Sequence, residues 1–477
     1  MTTIKHSPKA LKSISTVVIA NKATKFDGLD LSPAELKYVN QKIKADEKSL
    51  VINQFNRLFF IKIKDDKKSG SALAESLRIE GASQASMLNK HKYTEVQILN
   101  YTGDDSNTLA LAEGMALANH QFLKYRKEAK KEANSLSSIH VIVDKKQATA
   151  IAELNHVIEG TMIARNLVNE PQSYLTAEQF SKEMQAVGKS AGFRVEVFNK
   201  AKIKALKMGG LLAVNMGSQL PPTFTVMEYK PKNAKNKNPY VLVGKGVVYD
   251  TGGLSLKPTG NSMDYMKCDM GGGAAVVGTM YAIAKSKLPI YVVGLVPATD
   301  NRPGENAYCP GDVLTMMDGQ TVEMLNADAE GRLILADALH YAKRYKPELT
   351  IDLATLTGAA AAAIGGYGIV AMGTADEAMK NKLKESGNNV YERLVELPLW
   401  DEYGDLLKSD IADMKNIGGP VAGAITAGKF LQKFIDYPWM HFDIAGPAFT
   451  HKADKYRGNG GTGVGVRLLS DFLKRQS

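Results

Sequence analysis

The stretch that most constrains the fold is Tyr240–Pro258. A short apolar strand, Tyr240–Val243, runs straight into Gly244-Lys245-Gly246-Val247-Val248-Tyr249-Asp250-Thr251-Gly252-Gly253, and the segment closes on Lys257-Pro258. A strand feeding a glycine-rich turn invites a dinucleotide or phosphate site. The spacing argues against both. After Gly244 and Gly246 a third glycine would have to stand where Tyr249 is, and no GxxxxGK[ST] occurs. What the glycines do favour is a carboxylate with little bulk around it, open to close approach by a metal or another backbone. Asp250 is one such acid. Asp269 is another, in Met266-Lys267-Cys268-Asp269-Met270-Gly271-Gly272-Gly273. A third cluster, Asn326-Ala327-Asp328-Ala329-Glu330-Gly331-Arg332-Leu333, holds two acids two residues apart, which in an extended segment would point the same way.

Any one of these acids alone reads as a turn or helix cap. Together Asp250, Asp269, Asp328 and Glu330 carry −4, which balances two dications; gathered without metal they would repel one another and hold protons. Hard carboxylates without cysteine suit Zn²⁺, Mn²⁺ or Mg²⁺. No HExxH occurs and none of the eight histidines falls in a cluster, which excludes the single-zinc protease pattern. His441, in Trp439-Met440-His441-Phe442-Asp443, reads as a core histidine or as one hydrogen-bonded behind the ligands.

The chain has 477 residues, more than one hydrophobic core usually organises. The expected fold is α/β. A small N-terminal α/β domain spans residues 1–150, with an oligomerisation or regulatory role, and a linker helix spans 151–172. A larger C-terminal α/β catalytic domain, 173–477, has a central mixed sheet flanked by helices. In the first part Thr16–Ala20, Ser49–Gln54, Arg57–Ile63 and Ile139–Asp144 have strand composition. Asp105–Lys131, proline-free and rich in Ala, Leu, Lys and Glu, is predicted to be one helix capped by Asp104, Asp105 or Ser106. Gln147–Asn169 is predicted to be another, stopped by Pro171. From Thr176 a helix, the strand Phe193–Phe198 and a second helix lead to Gly209-Gly210 and a further strand.

Net charge is +10, and residues 1–150 hold 24 Lys and Arg against 16 Asp and Glu. That surplus, at Lys42, Lys44, Lys48, Lys62, Lys64, Lys67, Lys68, Lys124, Arg126, Lys127, Lys130 and Lys131, raises nucleic acid as a partner. Acidic residues in or beside every run favour an ordinary mixed surface instead. No run approaches the length of a membrane span. Met1–Leu11 is polar and basic, and Val17–Ala20 is too short for a signal peptide. With Cys268 and Cys309 as the two cysteines, forming no CxxC and no disulfide framework, the cytoplasm is the expected location.

The three clusters resemble those of the leucyl aminopeptidase family, whose segment NTDAEGRL appears here as Asn326–Leu333 with Ala327 for threonine. Further segments match in order: Ala164–Pro171, Asp352–Gly358, His441–Pro447 and Gly461–Arg467. The resemblance covers roughly Asn155 to Leu469 and carries nothing functional into residues 1–150. It implies that Lys245, Asp250, Asp269 and Glu330 hold one metal, and Asp250, Asp328 and Glu330 the other. Zinc or manganese are the ions expected. Lys257 and Arg332 are implied as the two catalytic residues that do not bind metal.

The implied reaction is release of N-terminal amino acids from peptides, in peptide catabolism, by a homohexamer whose sites face a sheltered interior. Paired metals lower the pKa of a bridging water and polarise the scissile carbonyl, and one can hold the substrate's α-amino group. Lys257 then stabilises the gem-diolate as an ammonium donor. Lys245 must be neutral to donate a lone pair, and an adjacent dication favours that form. Arg332 opens the helical stretch Leu333–Ala342, where a cation is unfavourable with the dipole. An anion held between Arg332 and free N–H groups removes the conflict, and the resemblance implies bicarbonate there, as a proton shuttle. An ion pair from Arg332 to Asp328 or Glu330 is the alternative. Met266, Thr355 and Leu356 are candidates for a substrate pocket that prefers an apolar residue such as leucine. The competing functions are a nucleic-acid-binding protein and a two-metal phosphoesterase.

Overall fold

In the computed structural model, which describes residues 2–26 and 28–477, the N-terminal strands form one six-stranded sheet. They are β1 (Thr3–His6), β2 (Ser15–Ala20), β3 (Ser49–Asn53), β4 (Leu58–Ile63), β5 (Glu95–Asn100) and β6 (Ser138–Val141), in the order β1-β6-β5-β2-β4-β3. Neighbours are parallel except for β3 and β4. The helices are α1 (Pro33–Lys44), α2 (Gly70–Lys90), α3 (Asp105–Ala118) and the short α4 (Ala129–Glu132). At the crossing of α2 and α3, a Cβ on Gly114 would lie 2.1 Å from the Arg78 carbonyl oxygen, so only glycine permits this approach.

The helix predicted over Asp105–Lys131 is therefore corrected: it ends at Ala118. All of residues 107 to 117 except Leu109 are buried, whereas every residue from 119 to 131 is half-buried or exposed. The Asn119 side chain turns the chain instead, donating to the Leu136 carbonyl at 2.7 Å. Several lysines of the basic surplus face acids: Lys42 with Glu47 at 2.5 Å, Lys62 with Glu80 at 3.0 Å and Lys131 with Glu128 at 2.6 Å.

Two compact units emerge, one running to Ile158 and including Ala453–Gly458, the other Glu159–Lys452 with Asn459–Ser477. Helix α5 (Ala148–Asn169) starts in the first and ends in the second. Within the first, Arg78 Nε donates to Glu113 at 2.6 Å, and the Tyr456 hydroxyl lies 2.7 and 2.9 Å from the two Glu75 oxygens.

The second unit is built on a nine-stranded mixed sheet. Its strands are β7 (Arg194–Phe198), β8 (Thr223–Tyr229), β9 (Tyr240–Gly244), β10 (Gly246–Asp250), β11 (Val292–Asn301), β14 (Leu349–Ala354), β15 (Ile369–Gly373), β16 (Leu394–Glu396) and β18 (Trp439–Asp443). A small separate sheet uses β12 (Asp312–Thr315), β13 (Thr321–Met324) and β17 (Met414–Lys415). The main order is β16-β15-β18-β14-β9-β11-β8-β7, with β10 also on β11. Strands β18, β14, β9, β11 and β10 run parallel. Their residues are apolar on both faces, as a sheet covered on two sides requires: Leu242 packs into one core cluster and Val241 and Val243 into another.

Helices α6 (Ala177–Ala191), α7 (Lys200–Ala205), α8 (Gly209–Val214), α9 (Gly271–Lys285) and α10 (Gly331–Ala342) belong to this unit. Gly209 and Gly210 open α8, and the strand expected after them is β8. The glycines serve close packing: a Cβ on Gly209 would lie 1.8 Å from the Thr315 carbonyl oxygen.

Candidate metal centre

Asp250 is the last residue of β10, and Asp269 follows the 3-10 turn Met263–Cys268 and precedes α9. Asp328 and Glu330 lie on the connection into α10. All four thus gather at the carboxyl ends of parallel strands, where open α/β sheets place their ligands. The extended geometry expected for Asp328 and Glu330 is not what brings them together. Residues 326–330 form a turn, with Ala329 N–H on the Asn326 carbonyl (3.2 Å) and Asp328 N–H on Asn326 Oδ1 (2.8 Å).

Lys245 is the single residue between β9 and β10. Its N–H bonds the Leu353 carbonyl at 3.0 Å and its carbonyl accepts from Gly273 at 2.8 Å, so the backbone is fixed from both sides. The buried ammonium stands 2.8 Å from Asp269 Oδ1 and 2.8 Å from Glu330 Oε1, and donates to the Thr355 carbonyl at 2.9 Å. Gly331 makes room for it: a Cβ there would stand 2.7 Å from Nζ and push the ammonium out. Lys257 Nζ lies 2.9 Å from Asp250 Oδ2 and pairs with Asp328 as well. Asp250, Asp328 and Glu330 each offer an oxygen within 4.8 Å of the others.

Charge follows from this packing. Burial pushes Asp250 and Asp269 up, and burial with Asp250 and Glu330 raises Asp328 to about 7. Burial would raise Glu330 also, but Lys245 and Lys257 outweigh it and hold this acid down. For Lys245, burial opposes the charged form, while Asp269, Glu330 and Asp250 outweigh it and raise the ammonium. The acid surplus therefore holds protons, as four gathered carboxylates must when two lysines are their counter-charge. Asp269 Oδ2 and Glu330 Oε2 are buried without a hydrogen-bond partner. Bare buried carboxylate oxygens are costly, and a set of oxygens with one amine suits divalent ions. The residues present fit a metal.

Arg332 is buried on the first turn of α10 and donates from Nη1 to the Asn416 carbonyl at 2.7 Å. Its Nε is buried without a hydrogen-bond partner, and burial pulls the guanidinium down to about 10. Among the described residues it forms no ion pair with Asp328 or Glu330, so the ion-pair alternative is not what the structure adopts.

Of the pocket candidates, Thr355 donates from its hydroxyl to Asp269 Oδ1 at 2.7 Å and so orients an acid of the cluster. Leu356 is half-buried against a core cluster, with its N–H on Asp443 at 3.2 Å. Met266 is half-buried in the turn before Asp269. His441 lies in the core, its Nδ1 2.6 Å from Asp352.

Sequence reasoning did not find Asn301, Tyr308 and Asn416. Asn416 accepts from Leu325 N–H and donates to the Asn326 carbonyl, both at 2.8 Å, fixing the third cluster. As neutral side chains at strand ends and in loops, these three carry no spacing signal.

Residues 162–470 match the cytosol aminopeptidase family, catalytic domain. A probable cytosol aminopeptidase of Chlorobaculum parvum is 54% identical over 317 residues, 66% of this chain and 62% of that protein's length. One of Chlorobium limicola is 43% identical over 438 residues, 87% of this chain and 84% of the relative. The match thus spans less than two thirds of the Chlorobaculum protein and more of the Chlorobium one. Among solved structures, a tomato leucine aminopeptidase mutant superposes with a TM-score of 0.87 at 26% identity, covering 100% of this chain and 97% of that one. The bottromycin maturation enzyme BotP in complex with Mn superposes with a TM-score of 0.86 at 29% identity, covering 97% and 99%. The chain belongs to the cytosol aminopeptidase family.

Proposed function

We propose that this protein is a metal-dependent aminopeptidase that releases N-terminal residues, apolar ones such as leucine foremost, from peptides. The observation that carries the reading is the buried surplus of carboxylate, with bare oxygens, beside two lysines and an arginine. Lys245, Asp250, Asp269 and Glu330 would hold one divalent ion and Asp250, Asp328 and Glu330 the other, zinc or manganese in each. Ions bound there supply a water of lowered pKa and a polarised scissile carbonyl.

The chain's own residues then have distinct tasks. Lys245 must shed its proton to offer a lone pair, and the protons on the raised carboxyls must leave, so loading releases protons. Lys257, which now pairs with Asp250 and Asp328, would turn to the substrate if those acids held metal. There it donates to the oxygen that gains negative charge as the carbonyl becomes tetrahedral. Arg332, with a bare Nε on the first turn of α10, is the proposed holder of bicarbonate, whose chemistry would be proton transfer. Met266, Thr355 and Leu356 are the proposed walls of the substrate pocket.

The family resemblance supports a cytoplasmic homohexamer. Among the described residues no helix is long and apolar enough to cross a membrane. Light scattering after size exclusion tests the assembly. Function is tested by offering leucine amide and a phosphate monoester to the Mn²⁺-loaded protein. Cleavage of the amide alone is expected; turnover of the ester alone would make it a phosphoesterase.

A further inference from the structure

We infer that Asn301 and Tyr308 form a clip that positions the turn carrying Asp328 and Glu330 against Asp250, and thereby sets metal affinity. This rests on the dimetal reading above. Asn301 ends β11 and is the register partner of Asp250 on β10. Its Nδ2 donates to Asp250 Oδ1 at 2.8 Å and to the Ala327 carbonyl at 2.9 Å. The Tyr308 hydroxyl donates to that same carbonyl at 2.9 Å. One buried amide thus joins two backbone segments that between them carry three of the four acids, and a phenol secures the second segment.

The amide can take one orientation only. A flip would set Oδ1 against two acceptors, the Asp250 oxygen and the Ala327 carbonyl. As it stands, Oδ1 is buried without a hydrogen-bond partner and faces Gly253, where a Cβ would lie 2.8 Å away. Asp250 Oδ1 also accepts from Gly252 N–H at 2.8 Å. Both protein donors therefore hold one oxygen, and Oδ2 is the one turned to the cation that Lys257 now supplies. Asn301 and Tyr308 are themselves buried, which makes them positioning residues.

The test is calorimetric titration of Mn²⁺ into the dialysed full chain, for parent, Asn301→Leu, Asn301→Asp and Tyr308→Phe. Circular dichroism checks that each metal-free variant is folded at the titration temperature. Asn301→Leu should weaken Mn²⁺ by about 10–100-fold, the range for residues that orient ligands. Tyr308→Phe, which keeps the ring packing and removes one bond, should weaken it by a smaller factor. Asn301→Asp is the sharpest arm. A purely electrostatic role would tighten Mn²⁺ binding, because an acid is added beside the site; loss of the clip should weaken it. Tighter binding in Asn301→Asp, parent-like affinity in the folded variants, or weakening confined to variants that have unfolded would each overturn the clip. A parent that binds no Mn²⁺ would instead overturn the dimetal reading on which it rests.

Discussion

In the N-terminal unit Arg78 reaches Glu113 at 2.6 Å and Glu75 at 3.6 Å, Arg457 stands 4.0 Å from Glu75, and the Tyr456 hydroxyl covers both Glu75 oxygens. Arg457 pairs with Asp454 as well, at 3.0 Å, so each of these acids has a cation or a hydroxyl within reach. In the C-terminal unit four carboxylates face two ammonium groups, and Asp269 Oδ2 and Glu330 Oε2 have no hydrogen-bond partner. Both clusters are buried, so burial does not distinguish a structural ion-pair network from a binding site. The bare oxygens do. A cluster whose acids are all partnered needs no further cation, whereas one that leaves buried carboxylate oxygens bare either holds protons or takes up metal.

The largest expected effect comes from deepening that contrast on the acid side. Asp250→Ala or Glu330→Ala should abolish peptide hydrolysis, because each removes a group proposed to touch both ions. A folded variant with normal turnover and two ions per chain would show that these acids are not shared metal ligands.

In the N-terminal cluster, Arg78→Leu should cost about 3–5 kcal/mol, the range for removing one partner of a buried ion pair, here Arg78 with Glu113. Denaturant unfolding measures the loss, and metal content should not change. Metal lost with stability intact would mean the two clusters are not separate in role.

Lys257→Ala should retain both ions while kcat falls by about 10²–10³-fold, the cost of one donor to a developing oxyanion. Metal loss with kcat preserved after reconstitution would make Lys257 a ligand.

Arg332 gives a smaller and more specific effect. In carbonate-depleted buffer the parent should speed up on adding bicarbonate, Arg332→Ala should not respond, and Arg332→Lys should respond in part, because a point charge replaces a planar fork. A parent indifferent to bicarbonate would remove the proposed shuttle.

A further buried acid is held by backbone N–H groups, with no lysine or arginine beside it among the described residues. Asp337 on α10 accepts from Leu211 N–H at 2.9 Å and Met317 N–H at 3.0 Å, and burial raises it from 3.8 to about 7. The folded state then keeps a proton that the unfolded state has lost. Stability should fall as pH rises from about 4 towards 7, by linkage. Asp337→Asn should flatten that slope in denaturant titrations; an unchanged slope would place the proton elsewhere.

The acids were legible in the sequence because charge and glycine are concentrated in three contiguous segments. Lys245 was singled out as a ligand by the family match, and the structure adds why it reaches the acids, through the space left by Gly331. What could not be read was whatever depends on distant neutral groups, such as the amide of Asn301 or the carbonyl of Asn416 that receives Arg332. The same limit appears in the fold. Strands rich in Val, Ile and Phe declared themselves. By contrast β1 (TIKH) and β5 (EVQILN) are mixed in polarity and take their shape from parallel neighbours. Helix α3 is shorter than its composition predicts because composition alone does not show where the buried face ends.

The acid cluster is expected to take up two divalent ions and to work only when it has them. The most direct test is elemental analysis of the purified chain, run in parallel with leucine-amide hydrolysis through dialysis against chelator and reloading with Mn²⁺ or Zn²⁺. About two ions per chain are expected, with activity lost on stripping and restored as the second ion returns. Hydrolysis that persists in fully stripped protein, or a folded chain that binds no ion, would show that the cluster is not a metal site on which turnover depends.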